Sequence, residues 1–230
     1  MIRRIKDYTK KEPCKDSHKI YVVCEGVGTE PAYFSFFNQC SSNLEVITIP
    51  PQVGTDPLKL MENAKRTFLR DAKRYSVDYM HGDTVWFVFD TDLSEKEGKI
   101  APLRKFCDEQ NGLIVSQYDE VKPYKAWNVA QSNPCFEIWL FYHFFDAKPD
   151  DYSPEQYASF KEYVNGQISG GFDFQVHPVF LQEAMANAKK NFQLDTNGKL
   201  DLYSTEMFKL GEEILSFTKR ELSKLRNKLG

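Results

Sequence analysis

Five bulky apolar residues stand in a row at positions 85–89, Val-Trp-Phe-Val-Phe, with no polar residue among them. A strand with one wet face would alternate, so this run predicts a strand buried on both faces of a parallel sheet. A second run at 20–24, Ile-Tyr-Val-Val-Cys, has the same character. Such strands need helices on both sides. Helical patterns separate them, and the order β-α-β-α-β-α predicts an α/β fold, a doubly wound and mostly parallel sheet flanked by helices.

The turns mark where elements end. The 20–24 run stops at Glu25, Gly26, Val27 and Gly28. Thr29, Glu30 and Pro31 then suit a helix start: the hydroxyl can cap, the acid meets the positive end, and proline tolerates the first turn. Tyr33, Phe36, Phe37 and Cys40 share the face that this helix buries. A strand follows at 44–49, and Asp56 with Pro57 opens a long helix that aligns Met61, Ala64, Phe68, Ala72 and Tyr75. A helix is expected from about 100 to 111, closed by Gly112, with 112–116 a candidate strand and 119–123 a turn. Residues 127–131 read as the next strand. Asn133 then caps, and Pro134 opens, a helix that is apolar nearly all round. Glu137 in that helix needs a cation or donor beside it.

From residue 147 the composition turns polar. Ser153, Pro154, Glu155 and Gln156 form a capping box for a helix to about 164. Helices near 178–191 and 204–229 follow, the last with Leu215, Leu222, Leu225 and Leu229 on one stripe. The chain therefore divides into a basic arm at 1–18, an α/β core at 19–146 and a helical appendage packed on it at 147–230.

The 85–89 run ends in Asp90, Thr91 and Asp92. Residues i and i+2 of a strand project from one face, so the two aspartates offer hard oxygen donors on one side of its carboxyl end. Doubly wound sheets bind ligands beyond the carboxyl ends of strands, where the strand order reverses. If the strands at 20–24 and 85–89 are neighbours across that point, Glu25 comes beside Asp90 and Asp92. Three acids so close repel unless a divalent cation neutralises them, and carboxylates with water-filled positions suit Mg²⁺ or Mn²⁺. Glu25 could move a proton while the aspartates hold metal. Phosphate would meet the Gly26–Gly28 turn and the helix starts at Thr29 and Asn133. The bland alternative is that the acids simply close a strand, since Asp is common in turns.

Composition removes several classes. The net charge of -3 supplies no global basic field, so a nucleic-acid partner would be met by local patches or metal. The five cysteines are scattered without a Cys-x-x-Cys, and the four histidines have no ligand spacing with them, which argues against structural zinc. Cys24 and Cys40 read as buried thiols of a reduced, cytoplasmic protein. No run approaches the roughly 18 apolar residues of a membrane span. Gly26 and Gly28 lack the third glycine of a dinucleotide loop, no Gly-Lys-Ser/Thr follows, and there is no Gly-x-Ser-x-Gly.

Three segments together carry a resemblance: Val23-Cys24-Glu25-Gly26 with Thr29-Glu30-Pro31-x-Tyr33-Phe34, then Phe87-Val88-Phe89-Asp90-x-Asp92, then Ser132-Asn133-Pro134-Cys135-Phe136-Glu137-Ile138-Trp139-Leu140. They resemble the RloB family of bacterial proteins, which is similar to Toprim-fold proteins, the metal-dependent module of topoisomerases, primases and OLD-type nucleases. The stretches 183–189 and 204–213 are similar to the family's tail. The resemblance implies a Toprim glutamate at Glu25, metal-binding aspartates at Asp90 and Asp92, and Glu137 as an additional ligand. It also implies association with phage-resistance loci, often beside an ABC-type ATPase. The stretch at 116–124 is longer than the family pattern, and Tyr163-Val164-Asn165 lacks the lysine of a Tyr-x-Lys, so no catalytic lysine is assigned.

The expectation is a Mg²⁺- or Mn²⁺-dependent Toprim-like nuclease acting on DNA or RNA in anti-phage defence, switched on by an ATPase partner, with oligomer formation left open. The rival is a non-catalytic sensor or regulatory subunit that has kept the acids. A dehalogenase-like phosphatase with Asp90 as nucleophile fits less well, because that motif normally ends the first strand and here ends the third.

Overall fold

The computed structural model describes residues 17–52, 54–91, 98–117, 124–150, 152 and 156–229. Most of the N-terminal arm, Asp92, the turn at 119–123 and the capping residues Ser153, Pro154 and Glu155 lie outside the described residues.

Among the described residues four parallel strands form one sheet: β1 (His18–Cys24), β2 (Leu44–Ile49), β3 (Thr84–Asp90) and β4 (Trp127–Ser132). Their order is β2-β1-β3-β4. The chain moves one way from β1 to β2 and the other way from β3 to β4, so the order reverses between β1 and β3. Among the described residues seven α-helices accompany the sheet: α1 (Thr29–Ser35), α2 (Pro57–Ala64), α3 (Ile100–Gln117), α4 (Glu137–Phe141), α5 (Phe160–Gln167), α6 (Leu181–Asn191) and α7 (Met207–Arg226).

The unbroken apolar runs are explained by two cores, one on each face. Ile20, Val22, Cys24, Trp86 and Val88 face a cluster containing α1, α4, α5, α6 and α7. Tyr21, Val23, Val85, Phe87 and Phe89 face a second cluster under α2 and α3. Alternate residues point to opposite faces, so burial on both sides requires apolar residues at every position. At roughly 25 cal/mol per Å² of apolar surface removed from water, these strands supply much of the fold's driving force.

Each outer strand is covered by an asparagine. On β2, Asn38 accepts from Val46 N at 2.7 Å and donates to its carbonyl at 2.9 Å. On β4, Asn111 accepts from Trp127 N at 2.9 Å and donates to its carbonyl at 2.8 Å. A carboxamide carries one donor and one acceptor side by side, as a paired strand residue does.

Several element ends differ from expectation. Gly112 does not close its helix, and residues 112–116 are not a strand: α3 runs on to Gln117. A glycine inside a helix costs only about 1 kcal/mol, and burial of Ile114 with the Asn111 contact offsets it. The helix opened by Asp56 ends early, passing into a π turn at Lys65–Leu69. There Thr67 O accepts from Arg74 N and Tyr75 N at 3.0 and 3.2 Å, turning the chain back, so Ala72 is exposed. α5 starts after Ser159, whose hydroxyl accepts from Glu162 N at 3.2 Å. Thr29 does not cap α1; Gly28 occupies that position.

Asn133 does not cap α4 either. Its peptide to Pro134 is cis, its side chain donates to Leu200 O at 2.8 Å, and α4 begins only at Glu137. The donor at the start of α4 is met from another element: Phe136 N donates to Asp90 Oδ1 at 2.8 Å.

Candidate acidic site at the strand switch

Glu25 directly follows β1, and its N–H extends the ladder by donating to Val88 O at 3.1 Å. The carboxylate turns across to β3, where Glu25 Oε2 accepts from Asp90 N at 2.8 Å. The strand reversal thus brings Glu25 and Asp90 together. Asp90 in turn holds the start of α4 through Phe136 N, so one bonded chain ties β1, β3 and α4 at their facing ends.

Thr91 anchors the strand exit. Its N–H and hydroxyl both donate to Ser132 O at 2.8 Å, and Gln131 Nε2 donates to Thr91 Oγ1 at 2.8 Å. This buried residue between the two aspartates went unread in the sequence, where it looks like an ordinary spacer. Asp92 itself lies outside the described residues.

The turn after β1 is built around a second acid. Glu30 is buried, and Gly26 N donates to its Oε1 at 3.0 Å. A Cβ on Gly26 would fall inside the contact distance of the Glu30 carboxylate, so a larger residue there would have to displace that side chain. Gly28 has open space around it. Burial is the largest influence on Glu30 and pushes its carboxyl up; Gly26 N–H pulls it down, Glu137 pushes it up again and Lys161 lowers it.

Lys161 of α5 is the cation that Glu137 requires. Its Nζ lies 3.4 Å from Glu137 Oε1 and donates to Thr29 Oγ1 at 2.9 Å. Glu137 is nearly buried, whereas the lysine is about half exposed. Cys135 sits in the same surroundings, and burial above all, with the charges of Glu137 and Asp90, pushes its thiol far up, which favours the neutral thiol. Neither Lys161 nor Glu30 was legible as a site residue. Glu30 resembles any helix-start acid, and Lys161 joins Thr29 only through the fold.

Carboxylate oxygens are the hard donors that Mg²⁺ or Mn²⁺ takes, so the chemistry of Glu25 and Asp90 fits such an ion. Among the described residues no group of three or more His, Cys, Asp or Glu side chains is gathered to hold a metal. Two acids with water filling the remaining positions match the habit of Mg²⁺ better than a closed cage. No described helix is long and apolar enough to cross a membrane.

No curated protein and no solved structure matches the chain. The family model described as RloB-like protein matches residues 20–214, which run from β1 into α7 and include every acid described above, and this chain belongs to that family.

Proposed function

We propose that this protein is a Toprim-like, divalent-metal-dependent nuclease that cleaves phosphodiester bonds of DNA or RNA in anti-phage defence, with an ABC-type ATPase as activating partner. The observation that carries the reading is the Glu25–Asp90 contact across the strand switch, where ligands of such sheets bind. Glu25 and Asp90, with Asp92, would hold the ion. When bound, Mg²⁺ or Mn²⁺ supplies Lewis-acid polarisation of the phosphate and a more acidic water.

The chain's own residues do the rest. Glu25, whose carboxylate is oriented by Asp90 N–H, takes the proton from the attacking water or hydroxyl. Lys161 is held at the mouth by Glu137 and Thr29, and its ammonium meets a substrate phosphate as a point charge. Thr91 and the Asp90–Phe136 bond fix the strand exit, so the acids need little reorganisation when substrate arrives.

The test is incubation of plasmid, single-stranded DNA and total RNA with the protein and Mg²⁺ or Mn²⁺, with and without an ATPase encoded beside it. Asp90→Asn keeps an acceptor for Phe136 N–H and is the matched control. Cleavage by the wild type that the variant loses supports the reading. Cleavage of equal rate by both proteins removes it.

A second reading is a non-catalytic sensor or regulatory subunit. It is favoured by the commitment of Glu25 and Asp90 oxygens to backbone N–H groups, a structural use of both acids. It predicts no cleavage with any metal or partner.

A further inference from the structure

The outer edge of β4 is covered at two of its three outward-facing positions. Even-numbered residues face β3: Ala126 O accepts from Val85 N at 2.7 Å, and Ser132 O from Thr91 N at 2.8 Å. Strand groups alternate, so Trp127, Val129 and Gln131 turn their N–H and C=O outward. Asn111 pairs with Trp127. Glu206 pairs with Gln131: its N–H donates to Gln131 O at 2.8 Å, and its Oε2 accepts from Gln131 N at 3.3 Å. Between them, the N–H and C=O of Val129 meet no hydrogen-bonding partner among the described residues.

Val129 opens into a cavity of about 380 Å³ between α3 and the start of α7, large enough for a small ligand. Three cations line it, Arg104, Lys125 and Lys209, against the carboxylates Asp108 and Glu206. Arg104 and Lys209 lean on buried Glu206, at 2.6 and 2.7 Å. Lys125 is exposed and makes no ion pair among the described residues.

We propose that this edge cavity binds a nucleotide, either free or as the terminal unit of a strand. Addition of an extended peptide needs consecutive open rungs, and among the described residues a single rung of this edge is open. A nucleobase edge instead presents a donor and an acceptor side by side on a compact ring, such as the amino group and ring nitrogen of adenine or cytosine. That pair matches Val129 C=O and N–H, and the phosphate falls to Lys125 with Lys209 and Arg104. The site uses none of the acids at the strand switch, so it stands whether or not those acids cleave anything.

The test is titration of the full chain, in chelator so that metal plays no part, with AMP, CMP, GMP and UMP, followed through the fluorescence of Trp86 and Trp127 at the cavity wall. A 5′-phosphorylated hexanucleotide, inorganic phosphate and a free tripeptide are titrated in parallel. The expected result is saturable binding of a mononucleotide or the hexanucleotide, with the tighter of the two identifying the source. Lys125→Glu should weaken it at least tenfold, and Val129→Pro, which removes the donor on an edge where proline is tolerated, should do the same. Asp90→Asn should bind as the wild type does. Lys125→Glu alone decides the case if the proline variant does not fold. Absence of nucleotide binding, binding unchanged by Lys125→Glu, or capture of the tripeptide alone would each overturn the proposal.

Discussion

Glu213 of α7 accepts a hydrogen bond from the indole N–H of Trp86 in β3 at 2.8 Å. The same carboxylate accepts from Thr84 Oγ1 at 2.6 Å and lies 2.8 Å from His18 Nε2, so one side chain fastens a late helix to β1 and β3. Glu213→Ala is expected to lose about 2–4 kcal/mol of stability by stranding the Trp86 and Thr84 donors. Glu213→Gln, which keeps an acceptor, should lose less. Urea unfolding of both variants measures it, and a loss under about 0.5 kcal/mol for the alanine variant would contradict this role.

Gly26→Ala is expected to displace the buried Glu30 carboxylate and cost about 1–3 kcal/mol, the range for overpacking. Combined with Glu30→Ala, the same substitution should cost much less than when made alone. A double-mutant cycle reads the coupling directly; additive costs would mean that the two residues do not compete for space.

Two glutamates should bend the pH dependence of stability in opposite directions. Burial pushes Glu206 up, but the charges and hydrogen bonds of Arg104 and Lys209 outweigh it and set its carboxyl below the usual 4.5. Its stabilisation is therefore present above pH 4.5 and lost as pH falls through the lower, folded value. Glu30 is raised above 4.5, so its contribution is present below that pH and lost as pH rises through the folded value. Unfolding midpoints from about pH 2 to 7 for Glu206→Gln and Glu30→Gln test both signs, the first below pH 4.5 and the second above it. The first should flatten the acid limb, and the second should gain relative to wild type toward neutral pH.

Lys161→Met separates stability from function. The lysine is half exposed, so the pair itself is screened and worth only about 0–1 kcal/mol, to which the stranding of nearly buried Glu137 adds. Cleavage in the active, metal-loaded complex should fall at least about tenfold through weaker substrate binding, on the scale of one charged hydrogen bond. Melting temperature and cleavage rate, measured together, distinguish this from a purely structural lysine, which would move only the first.

Mg²⁺ or Mn²⁺ at a hundred times its dissociation constant should stabilise the wild type by about 2.7 kcal/mol. Asp90→Asn should abolish the shift while keeping the metal-free melting temperature close to wild type, because its side-chain oxygen still accepts from Phe136 N. A variant that shifts as the wild type does would remove Asp90 from metal binding.

The strands were legible because burial on both faces leaves no choice of residue: every position from Thr84 to Phe89 is buried, and the composition says so. The meeting of Glu25 and Asp90 followed from the topology of such sheets. Helix ends were less legible, because they depend on partners distant in sequence. Asn133 looks like a cap but serves Leu200, while the true acceptor for Phe136 N–H is Asp90, a residue in another element. Lys161 was hidden for the same reason, since its contact with Thr29 spans 132 residues.

The asparagines on the two outer strands also bear on how copies of this protein behave toward one another. An uncovered parallel edge is a template on which a second chain can stack, and crowded or heated solutions turn that into fibrils. Asn38 and Asn111 each occupy a rung that an incoming strand would need, at the cost of a single side chain. Part of the colloidal stability at the flanks of the described sheet therefore rests on these two carboxamides, with Glu206 guarding a further rung of β4.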